Sequence, residues 1–118
     1  MERILLIDDS PIIHSLMKKA LEKNGYKICG NARNGKEGVT LYVKLKPDIV
    51  FMDVTMPIMD GIEATKKIIE FDPKAVVIML TAMGDNEIIK NAEEAGVKIF
   101  LKKPFNEYKI ISSISKVI

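Results

Sequence analysis

The sequence predicts an α/β fold, a doubly wound sheet of five parallel strands, and two observations carry that expectation. Five short β-branched runs alternate with five longer stretches whose apolar residues recur at helical spacing, giving β-α five times. The strand runs are apolar nearly throughout, which means burial on both faces, and right-handed crossovers then cover the sheet with helices on both sides.

Each element has its own signals. Ile4–Ile7 is the first strand. The first helix, Pro11–Asn24, places Ile13, Leu16, Met17, Ala20 and Leu21 on one face; Ser10 suits its N-cap, Pro11 its first position and Gly25 its stop. Tyr26–Gly30 is the second strand, and the second helix, Gly35–Leu45, ends before Pro47. Ile49–Met52 is the third strand. A third helix over Asp60–Phe71 turns Ile62, Thr65 and Ile69 inward and stops before Pro73. Val76–Leu80 and the helix Asn86–Ala95 follow, the helix ended by Gly96. Ile99–Leu101 and a last helix, Asn106–Val117, close the order, with Ile110, Ile111, Ile114, Val117 and Ile118 apolar. No linker, repeat or low-complexity segment interrupts it, so the expectation is one domain over 1–118.

Composition narrows the function. With 118 residues, 47% hydrophobic and 29% charged, the chain has the make-up of a soluble domain with a sizeable core. A net charge of +2 with no long Lys/Arg cluster gives no support to direct nucleic-acid binding. The longest apolar stretch, Ala75 to Leu80, is six residues, far short of a membrane span. "MERILLIDD" reaches an acidic pair at once, unlike a secretory leader, so the expected location is cytoplasmic. The single cysteine, Cys29, cannot pair within the chain and reads as a buried structural thiol.

Ligands of such sheets bind beyond the carboxyl ends of the strands. There the first strand delivers Asp8 and Asp9, the third Asp53, the fourth Thr81 and the fifth Lys103 followed by Pro104. Two carboxylates about 4 Å apart repel by roughly 4 kcal/mol at an effective dielectric near 20. Lys103 offsets one charge, and a hard divalent cation such as Mg²⁺ is the natural complement for the remainder. Asp9 alone would pass for a helix cap, but capping does not explain three acids at adjacent strand ends. A carboxylate beside a metal and a lysine is a nucleophile toward phosphorus, with Thr81 placed to hydrogen-bond a phosphoryl oxygen. On these grounds Asp8, Asp9 and Asp53 all remain candidates for the acceptor.

The fragments "ILLIDDS", "PDIVFMDVTMPIMDG", "VIMLTAMG" and "AGVKIFLKKPF", in that order, resemble the receiver domain of two-component response regulators, the CheY-like family, over essentially the whole chain. The resemblance implies the flavodoxin-like strand order 2-1-3-4-5. It makes Asp53 the phosphoacceptor in a Mg²⁺-dependent reaction, Asp9 a direct metal ligand and Asp8 one acting mainly through a metal-bound water. Asp53 itself and the backbone carbonyl of Thr55 supply further metal contacts, while Thr81 and Lys103 contact the phosphoryl group. The Lys103–Pro104 peptide is then cis, Pro57 and Gly61 shape the loop after the acceptor, and Asp60 caps the third helix. Thr81 and Phe100 form the switch, although Phe100 stands where chemotaxis members often carry Tyr. Thr55 and Met83 take the positions that tune phosphoryl lifetime, and Met83 cannot orient a water by hydrogen bonding.

The implied function is a monomeric, non-enzymatic switch. It takes a phosphoryl group from a partner sensor histidine kinase and signals to a downstream protein through helix 4, strand 5 and helix 5. Helix 1, where Ile12 beside Ile13 reads as exposed, together with the Pro104-Phe105 loop, resembles the family's kinase-docking surface. "VTMP" and "AMG" resemble chemotaxis regulators that bind the flagellar motor switch. A phosphorelay intermediate or a receiver from a longer transcriptional regulator shares the same motifs. Other classes fit less well. A haloacid dehalogenase-type phosphatase wants Asp-x-Asp where this chain has Asp8-Asp9-Ser10. A flavin carrier wants a phosphate loop where Asp8 and Asp9 would repel one. A phosphorylated relay histidine at His14 rests on a single surface residue.

Overall fold

The computed structural model describes residues 2–82 and 86–117. The alternation becomes β1 (Arg3–Ile7), α1 (Pro11–Lys23), β2 (Lys27–Ala32), α2 (Gly35–Leu45), β3 (Ile49–Asp53), α3 (Gly61–Phe71), β4 (Val77–Thr81), α4 (Asn86–Ala95), β5 (Ile99–Lys102) and α5 (Glu107–Ser115). All strand pairs are parallel and the order is β2-β1-β3-β4-β5. The winding direction reverses between β1 and β3, which opens a crevice at their carboxyl ends.

Helices cover both faces. On one side Met17, Leu21, Phe51, Ile110 and Ile114 join α1 and α5 to the sheet. On the other, Tyr42, Val50, Met52, Ala64, Ile68 and Ala92 join α2, α3 and α4 to it. Every residue of β3 and β4 is buried, as strands sandwiched between two helix layers must be. Ser10, Asn34, Asp60 and Asn106 are N-caps, each accepting from the backbone N–H three residues on, at 3.4, 2.8, 2.9 and 2.9 Å. Such caps are worth about 1 kcal/mol each. In a parallel α/β fold they all fall at the edge where the acids converge.

The structure moves several expected details. Strands run further than their apolar runs: β2 to Ala32, β3 to Asp53, β4 to Thr81 and β5 to Lys102. The ladder continues through polar residues because neighbours offer partners, Asp53 beside Leu80 and Thr81 beside Lys102. In α1 the buried stripe is Met17, Ala20 and Leu21, while Leu16 is 40% exposed. In α3 it is Ala64, Thr65 and Ile68, with Ile62 and Ile69 only partly covered. Residues one step apart lie about 100° around a helix, so a stripe read from spacing alone can be misplaced by one position. The last helix ends at Ser115, with Ile110, Ser113 and Ile114 buried. Cys29 is free but only half-buried, on the edge strand β2, so it is not a core thiol. Met83 and Ile118 lie outside the described residues.

The amino edge of the sheet is closed by matched polar pairs. The Arg3 guanidinium donates to the carbonyls of Leu45 and Lys46 at the end of α2, at 2.8 and 3.1 Å, and its backbone N–H donates to Asp48 at 2.7 Å. Tyr42 donates its hydroxyl to Asp72 at 2.8 Å and meets Phe71 edge to face.

Candidate functional site

β1 runs directly into Asp8, which is buried. Its N–H donates to the Ala32 carbonyl at 3.0 Å and its Oδ1 accepts from the Ser10 N–H at 2.8 Å. Asp9, next in the chain, is exposed. Asp53 is the last residue of β3 and is 7% exposed. Lys103 follows β5, held by a 2.7 Å bond from its N–H to the Thr81 carbonyl and by a cis peptide to Pro104. Its Nζ stands 3.4 Å from Asp8 Oδ2 and 3.3 Å from Asp53 Oδ1. One oxygen each from Asp8, Asp9 and Asp53 can be chosen so that all lie within 4.8 Å of one another.

A cleft of about 200 Å³ opens here, lined by Asp53, Thr55, Thr81, Ala82, Ile88 and Lys103. Thr81 is buried at the end of β4 and Thr55 is exposed. Phe100 does not line the cleft; it is half-buried against the core on the α2–α3–α4 side, in register with Met79.

The charge count explains the electrostatics. Burial first, and then the charge of Asp8, pushes the Asp53 carboxyl up from 3.8 to about 6; Lys103 opposes this by charge and hydrogen bond, and Asp9 adds to it. One ammonium does not cancel three carboxylates. A convergent all-oxygen donor set with surplus negative charge suits a hard cation such as Mg²⁺, and Asp8, Asp9 and Asp53 are the side chains that would hold it.

The segment after Asp53 is pinned at both ends. Gly61 opens α3 with its N–H on the Val54 carbonyl at 2.8 Å, and a Cβ there would sit 2.0 Å from the Asp53 carbonyl oxygen. Gly61 is therefore the first helical residue, and its missing side chain permits the close approach that closes the loop after Asp53. Met59 accepts from the Gly35 N–H at 3.0 Å, tying the loop to the start of α2. Between them Met59 N–H returns to the Pro57 carbonyl at 2.7 Å around Ile58, whose φ is +70°. That is a γ-turn, a strained conformation for a β-branched residue.

His14 carries a contact that spacing does not reveal. Its Nε2 meets the backbone carbonyl of Asp8, and its Nδ1 lies 2.9 Å from the Asn31 side chain. The only sequence signal was a histidine on the flank of the helix that follows the acid pair.

A family model, the response regulator receiver domain, matches residues 4–115. The chain is 44% identical over 117 residues to Protein CcdB of Bacillus subtilis, covering 99% of this chain and 98% of that protein. It is 42% identical over 116 residues to chemotaxis protein CheY of Thermotoga maritima, covering 98% and 97% respectively. A solved structure, the CheX-CheY-BeF3-Mg²⁺ complex from Borrelia burgdorferi, contains a chain of the same fold. The TM-score is 0.95 at 34% identity, over 98% of this chain and 88% of that one.

Proposed function

This chain belongs to the response regulator receiver family, and from that premise we propose that Asp53 accepts a phosphoryl group in a Mg²⁺-dependent reaction. One observation carries the assignment: of the three carboxylates, Asp53 lines the cleft shared with Thr81 and Lys103. Asp8 is already engaged at both oxygens, by Ser10 and Lys103. With its carboxyl raised only to about 6, Asp53 is still largely ionised at neutral pH and able to attack.

The donor is a phosphohistidine on a sensor histidine kinase. An Asp53 oxygen bonds to phosphorus, the P–N bond breaks, and the imidazole leaves with its electron pair. Lys103 neutralises charge on the phosphoryl oxygens and the Thr81 hydroxyl hydrogen-bonds one of them. Asp8, Asp9, Asp53 and the Thr55 carbonyl would hold Mg²⁺, which supplies further charge neutralisation when bound. A groove lined by Ile13, Leu16, Ala82, Lys103, Pro104 and Phe105 adjoins the cleft, and Ile12 beside it is 78% exposed, which supports kinase docking on this side.

We read 1–118 as one receiver domain that changes its own phosphorylation state and turns over no other substrate. Its output is protein binding, coupled to the site through Thr81 and Phe100 as a two-state equilibrium. Similarity to proteins named CheY supports a chemotaxis output. Incubation with Mg²⁺ and acetyl phosphate is expected to add the mass of one phosphoryl group, and Asp53→Asn to abolish it. An Asp53→Asn chain that still gains phosphate overturns the assignment. Recovery of a flagellar motor-switch component only after phosphorylation would support the chemotaxis output.

A further inference from the structure

The phosphoryl chemistry leaves His14 unused, yet its ring is engaged at both nitrogens. The Asp8 carbonyl can only accept, so Nε2 carries the proton and donates to it. Nδ1 lies 2.9 Å from the Asn31 side-chain oxygen, so with Nε2 donating the two pair when that amide is assigned the other way round, presenting its NH₂ to the ring.

Asp8 is thereby held at every polar atom. Its N–H binds Ala32, its Oδ1 accepts from Ser10, its Oδ2 faces Lys103, and its carbonyl accepts from His14. The His14 bond differs from the other three in what it fixes. The carbonyl belongs to the Asp8–Asp9 peptide, so holding that oxygen fixes the peptide plane from which Asp9 departs. Asp9 is the exposed member of the acid cluster and has the most freedom to turn away.

We propose that His14 is a positioning residue for the cation site. Its Nε2–H, braced by Asn31, locks the Asp8–Asp9 peptide so that the Asp9 carboxylate is already aimed at the oxygens of Asp8 and Asp53. This rests on the reading of that cluster as the Mg²⁺ site. Hydrogen bonds that orient metal ligands are worth about 10–100-fold in affinity. Here the bond acts through one peptide plane, which places the effect near the lower end.

The test is calorimetric titration of Mg²⁺ into the full unphosphorylated chain, with thermal unfolding in EDTA alongside. His14→Ala is expected to raise the Mg²⁺ dissociation constant about tenfold. His14→Gln, which keeps a side-chain N–H donor, should stay within about threefold of wild type. Both variants should unfold in EDTA within a few degrees of wild type. An unchanged constant in His14→Ala overturns the proposal, and so does a His14→Gln as weak as His14→Ala. A large drop in unfolding midpoint shared by both variants would make the effect one of folding and also overturn it. Wild type that takes up no Mg²⁺ overturns the cluster reading together with the proposal, whereas an unchanged His14→Ala overturns the proposal alone.

Discussion

The two edges of this sheet use the same residue type to opposite ends. At the amino edge, Asp72 accepts from the Tyr42 hydroxyl and the Lys74 N–H, and those bonds, the tyrosine's first, hold its carboxyl below the usual range. Tyr42 is pushed up in turn, by burial and then by Asp72. At the carboxyl edge Asp53 is pushed the other way, because burial and Asp8 outweigh Lys103. One edge is neutralised internally and serves the fold. The other is left short of positive charge, and a fold retains such a cost where an arriving ligand will relieve it.

Removing a single partner from each edge is the most direct way to break the comparison. Lys103→Met takes away the ammonium that faces both buried acids. It is expected to slow phosphate incorporation from acetyl phosphate by about two to three orders of magnitude, read as a mass-spectrometric time course. Tyr42→Phe removes the hydroxyl bond to Asp72 and should lower the unfolding midpoint by a few degrees while leaving that rate unchanged. A Tyr42→Phe chain that phosphorylates as slowly as Lys103→Met would show that the edges are not separate.

The edges also differed in how far the sequence exposed them. Asp8, Asp9, Asp53 and Lys103 each break or end an apolar run, so topology alone gathers them at one edge. Caps such as Ser10 and Asp60 were legible for the same local reason, since a cap binds three residues on. The amino edge was illegible. Arg3 binds carbonyls more than forty residues away, and Tyr42 reaches Asp72 across thirty. No local period encodes such partners. His14 was read only as a surface histidine; its bond to Asp8 is not legible because the partner is a main-chain carbonyl, which has no residue identity to read. Leu16 and Ile68 show the third gap: spacing finds a stripe, but only packing against a particular neighbour decides which residue leads it.

Acidity sharpens the contrast with a smaller effect. Asp53 has a folded value near 6 against 3.8 for an exposed aspartate, so the folded state holds its proton more tightly. Its contribution favours the fold below about pH 4 and is lost as pH rises through about 6. Without Mg²⁺, Asp53→Asn should therefore be more stable than wild type at pH 7, by about 1 kcal/mol once solvent screening is allowed for. That advantage should disappear toward pH 4. Asp72, with its depressed value, acts in the opposite sense: its contribution is present above the ordinary carboxylate range and is lost as pH falls. The deficit of Tyr42→Phe should accordingly shrink in acid. Urea unfolding in EDTA from about pH 2 to 8 checks both signs, the Asp53 change falling between about pH 4 and 6 and the Asp72 change below about pH 4, and two curves of the same slope would contradict the opposed shifts.

The smallest effect concerns strain on the backbone rather than charge. Ile58 closes the γ-turn beyond Asp53 at φ +70°, with its side chain 77% exposed, so little packing offsets the conformation. A left-handed backbone costs a residue with a Cβ roughly 1–2 kcal/mol, and more crowding follows from β-branching. Glycine avoids that cost but gives up about 0.5–1 kcal/mol of chain entropy. Ile58→Gly should thus stabilise the protein by a net of about 0.5 kcal/mol, read as a slightly higher urea midpoint at unchanged slope. The anchors on either side, Gly61 on Val54 and Gly35 on Met59, remain in place in this variant, so the Asp53 cleft should keep its rate of phosphorylation. A destabilised Ile58→Gly would mean that the isoleucine side chain contributes more through contact than its exposure allows, and that the turn beside the acceptor is not where this edge stores strain.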